Sequence, residues 1–274
     1  MKRSRINATA IVVVAALFFV LPLVATLLFS LSMKRGVWSL EAYRVVFADS
    51  RFVDALTYSL VVAIVTILLG ALLVVPSAYW VRLRFPRLRP LFEFLSLLPL
   101  VIPPIVLVFG YIRFYNSSSI LPLTASETGT NVLLVLGYVA LSLPYMYRAV
   151  DTGMAAVDIR TLTEAAESLG AGRRTILMSV IFPNVRASVL SGAFITFAIV
   201  MGEFVFASLL NRDTFGPYLA LIGQNRAYEP SALAFMAFLF TWTCMGMMQL
   251  FARRRPRRRR NRRPFASPSE RPVA

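Results

Sequence analysis

The stretch "TLTEAAESLGAGRRTILMSVIFPN", residues Thr161–Asn184, is charged although it lies between two long apolar segments. Apolar residues recur in it and just before it at three- and four-residue spacing, the period of one helix face; they are Ile159, Leu162, Ala166 and Leu169. Gly170 follows directly, and glycine commonly ends helices because it adopts the left-handed conformation without strain. The pattern therefore predicts a short amphipathic helix that stops at Gly170.

A second short helix is predicted to begin near Arg173. Its apolar side would carry Ile176, Leu177, Val180 and Ile181. Proline has no backbone N–H and suits the first turn of a helix, so we expect Pro183 to end this helix and to start the next apolar segment. The prediction is a helix–turn–helix, packed on one side and presented on the other.

The composition around this loop is that of an integral membrane protein. Of the 274 residues, 58% are hydrophobic and 15% are charged, and the mean hydropathy is +0.69; soluble domains have about 25% charged residues. A membrane span needs roughly 20 mainly apolar residues, and six segments qualify: Ile11–Leu31, Ala55–Val81, Leu91–Phe114, Val132–Tyr147, Ala187–Leu210 and Ala232–Ala252. We predict an all-α membrane domain of six spans over residues 1–252, with the helix–turn–helix at about 158–183, between spans four and five.

Basic residues orient the predicted spans, because loops rich in lysine and arginine stay in the cytoplasm. The N-terminus, residues 82–89, residues 148–186 and the tail from Arg253 carry three, four, five and ten of them, whereas the alternate connections together carry six. Both termini and the helix–turn–helix are therefore expected in the cytoplasm.

The arginine-rich tail, residues 253–274, accounts for much of the net charge of +16. It directly follows an apolar segment, where arginine sets topology and meets anionic lipid headgroups. We favour that role over the alternative, an RNA-binding tail, and expect no nucleic-acid partner. The tail composition also predicts disorder.

Several kinds of chemistry are excluded by residue types. Histidine is absent and Cys244 is the single cysteine, so His-dependent triads, imidazole zinc sites and an internal disulfide cannot be built. No phosphate-binding G-x-x-x-x-G-K-[ST] motif occurs. We expect a non-catalytic chain that binds no cofactor or metal of its own.

Two features inside the spans suggest a path through the membrane. Pro99, Pro103 and Pro104 lie within the third span, and a bilayer tolerates such a break only where neighbours or water satisfy the freed backbone groups. The interpretation is a bent helix lining a path, or a packing kink without that role. Glu203 lies within the fifth span, where an acid is costly and usually faces a cavity; the alternative is a structural acid, paired with an arginine such as Arg113 or hydrogen-bonded to a neighbouring helix.

The loop resembles the EAA motif of the permease subunits of ABC importers: E-A-A, three residues, G, nine residues, I-x-L-P. Glu164, Ala165 and Ala166 match, Gly170 follows at the right distance, and Pro183 ends the motif, with Val180 and Phe182 as apolar replacements. The resemblance covers the six-span core, Ile11 to Ala252, and implies that the membrane is the bacterial inner membrane.

The resemblance implies a coupling helix that docks on a separate nucleotide-binding subunit, which would hold ATP and magnesium. Glu164 would be the polar contact, Ala165 and Ala166 would allow close approach, and Gly170 would set the bend. Its further partners would be a second permease subunit, identical or homologous, a periplasmic or surface solute-binding protein, and membrane lipid. The alternative for Glu164 is a capping box with Thr161 that only satisfies its own helix end.

The sequences "ESLGAG" and "MGEFVFASLLN" are similar to those of permeases for polyamines such as spermidine and putrescine. Importers of ferric iron, sulfate, molybdate or an organophosphonate are the alternatives within the class. An ion-coupled secondary transporter and a membrane-embedded enzyme are the alternatives outside it, and both suffer from the scarcity of intramembrane acids.

Overall fold

The computed structural model describes residues 2–34 and 36–253, and within this part of the chain every regular element is helical. The predicted tail beyond Arg253 lies outside the described residues. The elements in chain order are α1 (Lys2–Leu31), α2 (Glu41–Ala48), α3 (Ser50–Leu83), a 3-10 turn (Pro86–Leu88), α4 (Arg89–Val101), α5 (Pro104–Phe114), a second 3-10 turn (Leu123–Ala125), α6 (Glu127–Ala155), α7 (Ile159–Ser168), α8 (Arg173–Thr175), a π-helical turn (Ile176–Ile181), α9 (Phe182–Gly202), α10 (Val205–Leu209), α11 (Phe215–Asn225) and α12 (Tyr228–Arg253).

Four helices of the described residues are long and apolar enough to cross a membrane: Ile11–Leu31, Ser50–Leu83, Glu127–Ala155 and Arg173–Gly202. The pair formed by α4 and α5 makes a fifth if its two halves count as one span. Helix α12 covers the segment predicted as the sixth span. These helices carry large apolar side chains on their outer surfaces, among them Phe18, Leu72 and Phe109, as expected where lipid replaces water. The predicted all-α membrane fold is confirmed.

Helix α6 is the centre of the bundle and packs against α3, α4 and α9. Its contact with α9 is close because Gly192 faces Met146: a Cβ atom at Gly192 would lie 2.7 Å from the Met146 sulfur. Small residues permit this approach between membrane helices. One apolar cluster, including Val75, Met154 and Ile176, joins α3, α6 and the helix–turn–helix at one end of the bundle.

The third predicted span is broken rather than gently bent. Helix α4 ends at Val101, α5 begins at Pro104, and their axes differ by 96°. Pro103 and Pro104 hold the extended connection and the first turn of α5, positions at which a missing N–H costs no helix hydrogen bond. The sequence predicted a bent helix at these prolines, whereas the structure has two helices with a sharp change of direction between them.

The fifth predicted span, Ala187–Leu210, is wrong as a single helix. Helix α9 ends at Gly202, Glu203 is extended with ψ 131°, and the short helix α10 starts at Val205. The chain then turns at Asn211, whose φ is +53°, into α11. Long-range hydrogen bonds hold this hairpin on the bundle, among them one from the Phe215 N–H to Ser59 Oγ at 2.8 Å.

Candidate functional site

Helix α7 begins at an aspartate cap. The Asp158 carboxylate accepts hydrogen bonds from the Thr161 N–H at 3.1 Å and the Thr161 hydroxyl at 2.8 Å, which satisfies an otherwise free donor of the first turn. The bond from the Thr161 backbone, followed by that from its hydroxyl, lowers the pKa of Asp158 below its ordinary value. The capping box that sequence analysis allowed for Thr161 and Glu164 does not form, because Asp158 holds the cap position.

The buried side of α7 is formed by Ile159, Thr163 and Ala166, with Leu162 half-buried beside them. The Thr163 hydroxyl donates to the carbonyl of Ile159 at 2.7 Å, and its oxygen can accept from the Tyr79 hydroxyl of α3, which lies 3.2 Å away. Both side chains are buried, so this contact fixes α7 to the end of α3. Sequence reasoning missed Tyr79 and Thr163, because the pairing joins residues 84 positions apart.

Leu169 does not belong to the buried side, and its predicted place there is wrong. The helix ends at Ser168, so the helical spacing no longer applies at the next residue, and the side chain of Leu169 is 87% exposed. The loop therefore presents a bare leucine next to Gly170.

The presented side of α7 carries Glu164 and Ala165, both exposed. The Glu164 carboxylate lies 2.8 Å from Nε of Arg160 one turn earlier, and their side chains are 61% and 82% exposed. Such exposed pairs stabilise a helix by only about 0.3–0.5 kcal/mol, so both groups can turn to another partner at little cost. Ala166, predicted as a docking contact, lies instead on the buried side at 8% exposure.

Gly170 closes the helix in the manner that the sequence predicts. Its φ is +78°, its N–H donates to the Glu167 carbonyl, and the N–H of Ala171 donates to the Ala166 carbonyl. These two bonds form a Schellman motif, which requires the left-handed conformation that glycine adopts without strain. The turn therefore redirects the chain sharply into the next helix.

Pro183 does not end the second helix, contrary to the prediction. Residues 173–202 form one continuous helix, in which the Phe182 N–H bonds to the Leu177 carbonyl, five residues back. This π-helical turn widens the helix just before Pro183, which has no N–H and would crowd an ordinary turn. Pro183 thus lies exposed within the first turn of α9.

Glu203 occupies the gap between α9 and α10. Its carboxylate accepts hydrogen bonds from the N–H of Phe206, at 2.9 and 3.1 Å, and from the N–H of Ala207 at 3.4 Å. The residue is 9% exposed, and no ion pair joins it to Arg113. Its described neighbours Gly202 and Phe204 line an apolar cavity of about 470 Å³, which Glu203 does not line.

The broken span brings Pro103 and Pro104 to the surface of the chain, where both are exposed together with Val101 and Ile105. Neither proline forms a hydrogen bond with Glu203, whose carboxylate binds the N–H groups of Phe206 and Ala207. That Pro103, Pro104 and Glu203 line one path stays a prediction.

Comparisons with known proteins agree on one family. Residues 68–260 match the family described as the inner membrane component of binding-protein-dependent transport systems. The chain is 35% identical over 155 residues to a probable molybdenum ABC transporter permease of Haloferax volcanii, covering 55% of this chain and 56% of that protein. It is 27% identical over 181 residues to the spermidine/putrescine transport system permease PotB of Haemophilus influenzae, covering 62% and 60%. The matches thus span less than two thirds of these relatives.

The fold is also that of a solved transporter. The structure of a bacterial alginate ABC transporter, in complex with a periplasmic protein bound to an alginate pentasaccharide, has a chain with a TM-score of 0.74 and 12% identity. The similarity covers 92% of this chain and 96% of that one. At this identity the likeness concerns the fold alone.

Proposed function

Because the chain belongs to the family of inner membrane components of binding-protein-dependent transport systems, we propose that it is a permease subunit of an ATP-driven importer. Helix α7 is its docking element for a separate ATPase subunit. Energy must come from that subunit, since this chain has no phosphate-binding loop. ATP and magnesium belong to the partner. A second permease subunit and a solute-binding protein complete the assembly, in the bacterial inner membrane with both termini in the cytoplasm.

The observation that supports this proposal is the difference between the buried and the exposed side of α7. Its underside is fixed to α3 through Thr163 and Tyr79, whereas Glu164, Ala165 and Leu169 are exposed on the other side. A helix that served only to connect two spans would not need an exposed leucine and a charged, weakly paired face. This face suits a groove on a protein partner, in which close approach is possible at Ala165.

The broken span is proposed to line the solute path. The break between α4 and α5 interrupts the helical backbone beside the exposed apolar residues Val101 and Ile105, and a membrane protein tolerates irregular backbone where it lines a cavity or meets protein. Glu203 is proposed to lie near this path, although its hydrogen bonds to Phe206 and Ala207 already account for its burial.

For the solute we propose a polyamine, with a molybdate-type oxyanion as the second candidate. The polyamine is supported by the sequence around Glu203 and by similarity to a spermidine/putrescine permease. The second is supported by similarity to a probable molybdenum permease. Uptake of labelled spermidine and of molybdate by cells expressing the complete transporter decides between them.

The docking proposal is tested with the complex co-expressed with its ATPase and reconstituted in liposomes. Glu164→Lys keeps α7 folded, because the exposed pair with Arg160 contributes little, but reverses the docking charge. Co-purification of the ATPase and uptake should both fall. Asp213→Lys makes the same charge reversal at an exposed residue that follows α9 and α10, whereas α7 precedes them. This variant should leave co-purification unchanged. Full co-purification and uptake with Glu164→Lys would contradict the proposal.

A further inference from the structure

Asp151 brings the ends of three membrane helices together. It lies on α6, one turn before that helix ends at Ala155. Its Oδ1 lies 2.6 Å from Nε of Arg82, near the end of α3, and its Oδ2 lies 3.0 Å from an Nη atom of Arg89, the first residue of α4. Side chains of Asp151 and Arg82 are 13% and 17% exposed, so this pair is largely removed from water.

The two arginines are bound in different ways. Arg82 makes a second hydrogen bond to Asp151, from its Nη atom to the backbone carbonyl at 2.9 Å, and is therefore fixed to α6. Arg89 is 43% exposed and is divided between two acids: Asp151 on α6, and Glu93 one turn along its own helix, at 3.0 Å from Arg89 Nε. Arg89 can thus leave Asp151 without losing its other carboxylate.

This arrangement allows two states with no unpaired charge. In the observed state Arg89 joins α4 to α6. In the other, Arg89 would bind Glu93 alone, while Asp151 would keep Arg82. Breaking a buried pair is costly when it strands a charge, and here neither state does so. A cavity of about 270 Å³, lined by Arg89, Glu93, Ser96, Tyr147 and Arg148 with Asp151, separates α4 from α6 at this point and leaves room for the movement.

We propose that Arg89 is a latch between α4 and α6, and that Asp151 and Glu93 compete for it during the transport cycle. The latch lies on the route from the docking helix to the broken span: α6 leads directly into α7, and α4 leads to the break before Pro104. Asp151 is a positioning residue, and this role rests on the proposed coupling function. Through the Arg89 latch, a displacement of α7 by an ATPase would be transmitted to α4.

The test uses the reconstituted complex with the single cysteine replaced by Cys244→Ser. Spin labels at Leu95→Cys on α4 and Tyr145→Cys on α6, both exposed positions, report the distance between the two helices by pulsed electron resonance. Asp151→Asn removes one competitor and should raise the ratio of long to short distances about fivefold or more. Glu93→Gln removes the other competitor and should shift the ratio in the opposite direction.

Opposite shifts with an unchanged amount of co-purified ATPase support the latch. A purely structural ion pair predicts loss of assembled complex with Asp151→Asn and no response to Glu93→Gln, and that result would overturn the proposal. Shifts in the same direction would overturn it as well. Because ATPase co-purification is measured separately, failure of docking at α7 is distinguished from failure of the latch.

Discussion

Replacing Gly170 by alanine isolates the backbone conformation of the turn that ends α7. A Cβ atom at Gly170 would meet nothing within 4 Å, but φ is +78° there. The left-handed conformation costs a residue with a Cβ roughly 1–2 kcal/mol. If the exposed turn relaxes to escape this cost, the docking-competent turn must be regained on binding. The apparent affinity for the ATPase should then fall by a factor of up to about 5–30.

Gly172 provides the matched control. A Cβ atom there also meets nothing within 4 Å, but its φ of −72° suits any residue. Gly172→Ala should therefore bind the ATPase like the native chain. Gly170→Asn should fall between the two alanine variants, since asparagine tolerates the left-handed region better than alanine.

The dissociation constant is measured by biolayer interferometry, in a titration of each detergent-solubilised permease variant with purified ATPase subunit. The order Gly172→Ala, Gly170→Asn, Gly170→Ala of increasing dissociation constant is the expected result. Equal dissociation constants for Gly170→Ala and Gly172→Ala would show that the left-handed turn does not shape the docking surface.

Three further outcomes are expected. Asp158→Ala removes the cap of α7 and should lower its stability by about 0.5–2 kcal/mol, seen as faster amide exchange in α7, whereas Asp158→Asn should exchange at the native rate. Glu203→Gln keeps one side-chain oxygen that can accept the Phe206 N–H at the start of α10, so it should preserve assembly but depress uptake of a polyamine; unchanged uptake would leave Glu203 with a structural role alone. A reporter active only outside the membrane should work in Ser117–Thr130 and fail after Arg173 or after Arg263, and the reverse pattern would show that the basic residues do not set this topology.

Local signals allowed the larger part of the fold to be predicted. Long apolar runs located α1, α3, α6 and α9, because hydrocarbon accepts only helices of that length and composition. The glycine stop at Gly170 and a bend at Pro103 and Pro104 were also predicted, since each follows from the conformations open to a single residue.

The errors arose where a side chain or a neighbouring turn overrode local rules. Glu203 ends α9 because its carboxylate binds the N–H groups of the next helix, an outcome that hydropathy cannot register. Pro183 was expected to end a helix, but the π-helical turn before it accommodates the ring. Leu169 was assigned to a buried face although the helix stops one residue earlier.

The ion-pair network was missed for a different reason. Arg82 and Arg89 were counted only as topology signals, and their partner Asp151 is 69 and 62 positions away in sequence. An available signal was the acid itself: Asp151 lies one turn beyond the predicted fourth span, and a carboxylate at the edge of an apolar bundle needs a cation.

Docking at α7 can be observed by site-directed cross-linking. In the Cys244→Ser chain, Ala165→Cys places a thiol on the presented side of α7, and Ala166→Cys places one on its buried side, one residue away. A thiol-specific photoreactive cross-linker is attached and the complete transporter is irradiated. If α7 docks on the ATPase, an adduct with the ATPase subunit forms from Ala165→Cys and little or none from Ala166→Cys. An absent adduct from Ala165→Cys, in a transporter that retains solute uptake and full labelling of this thiol, would contradict docking at α7.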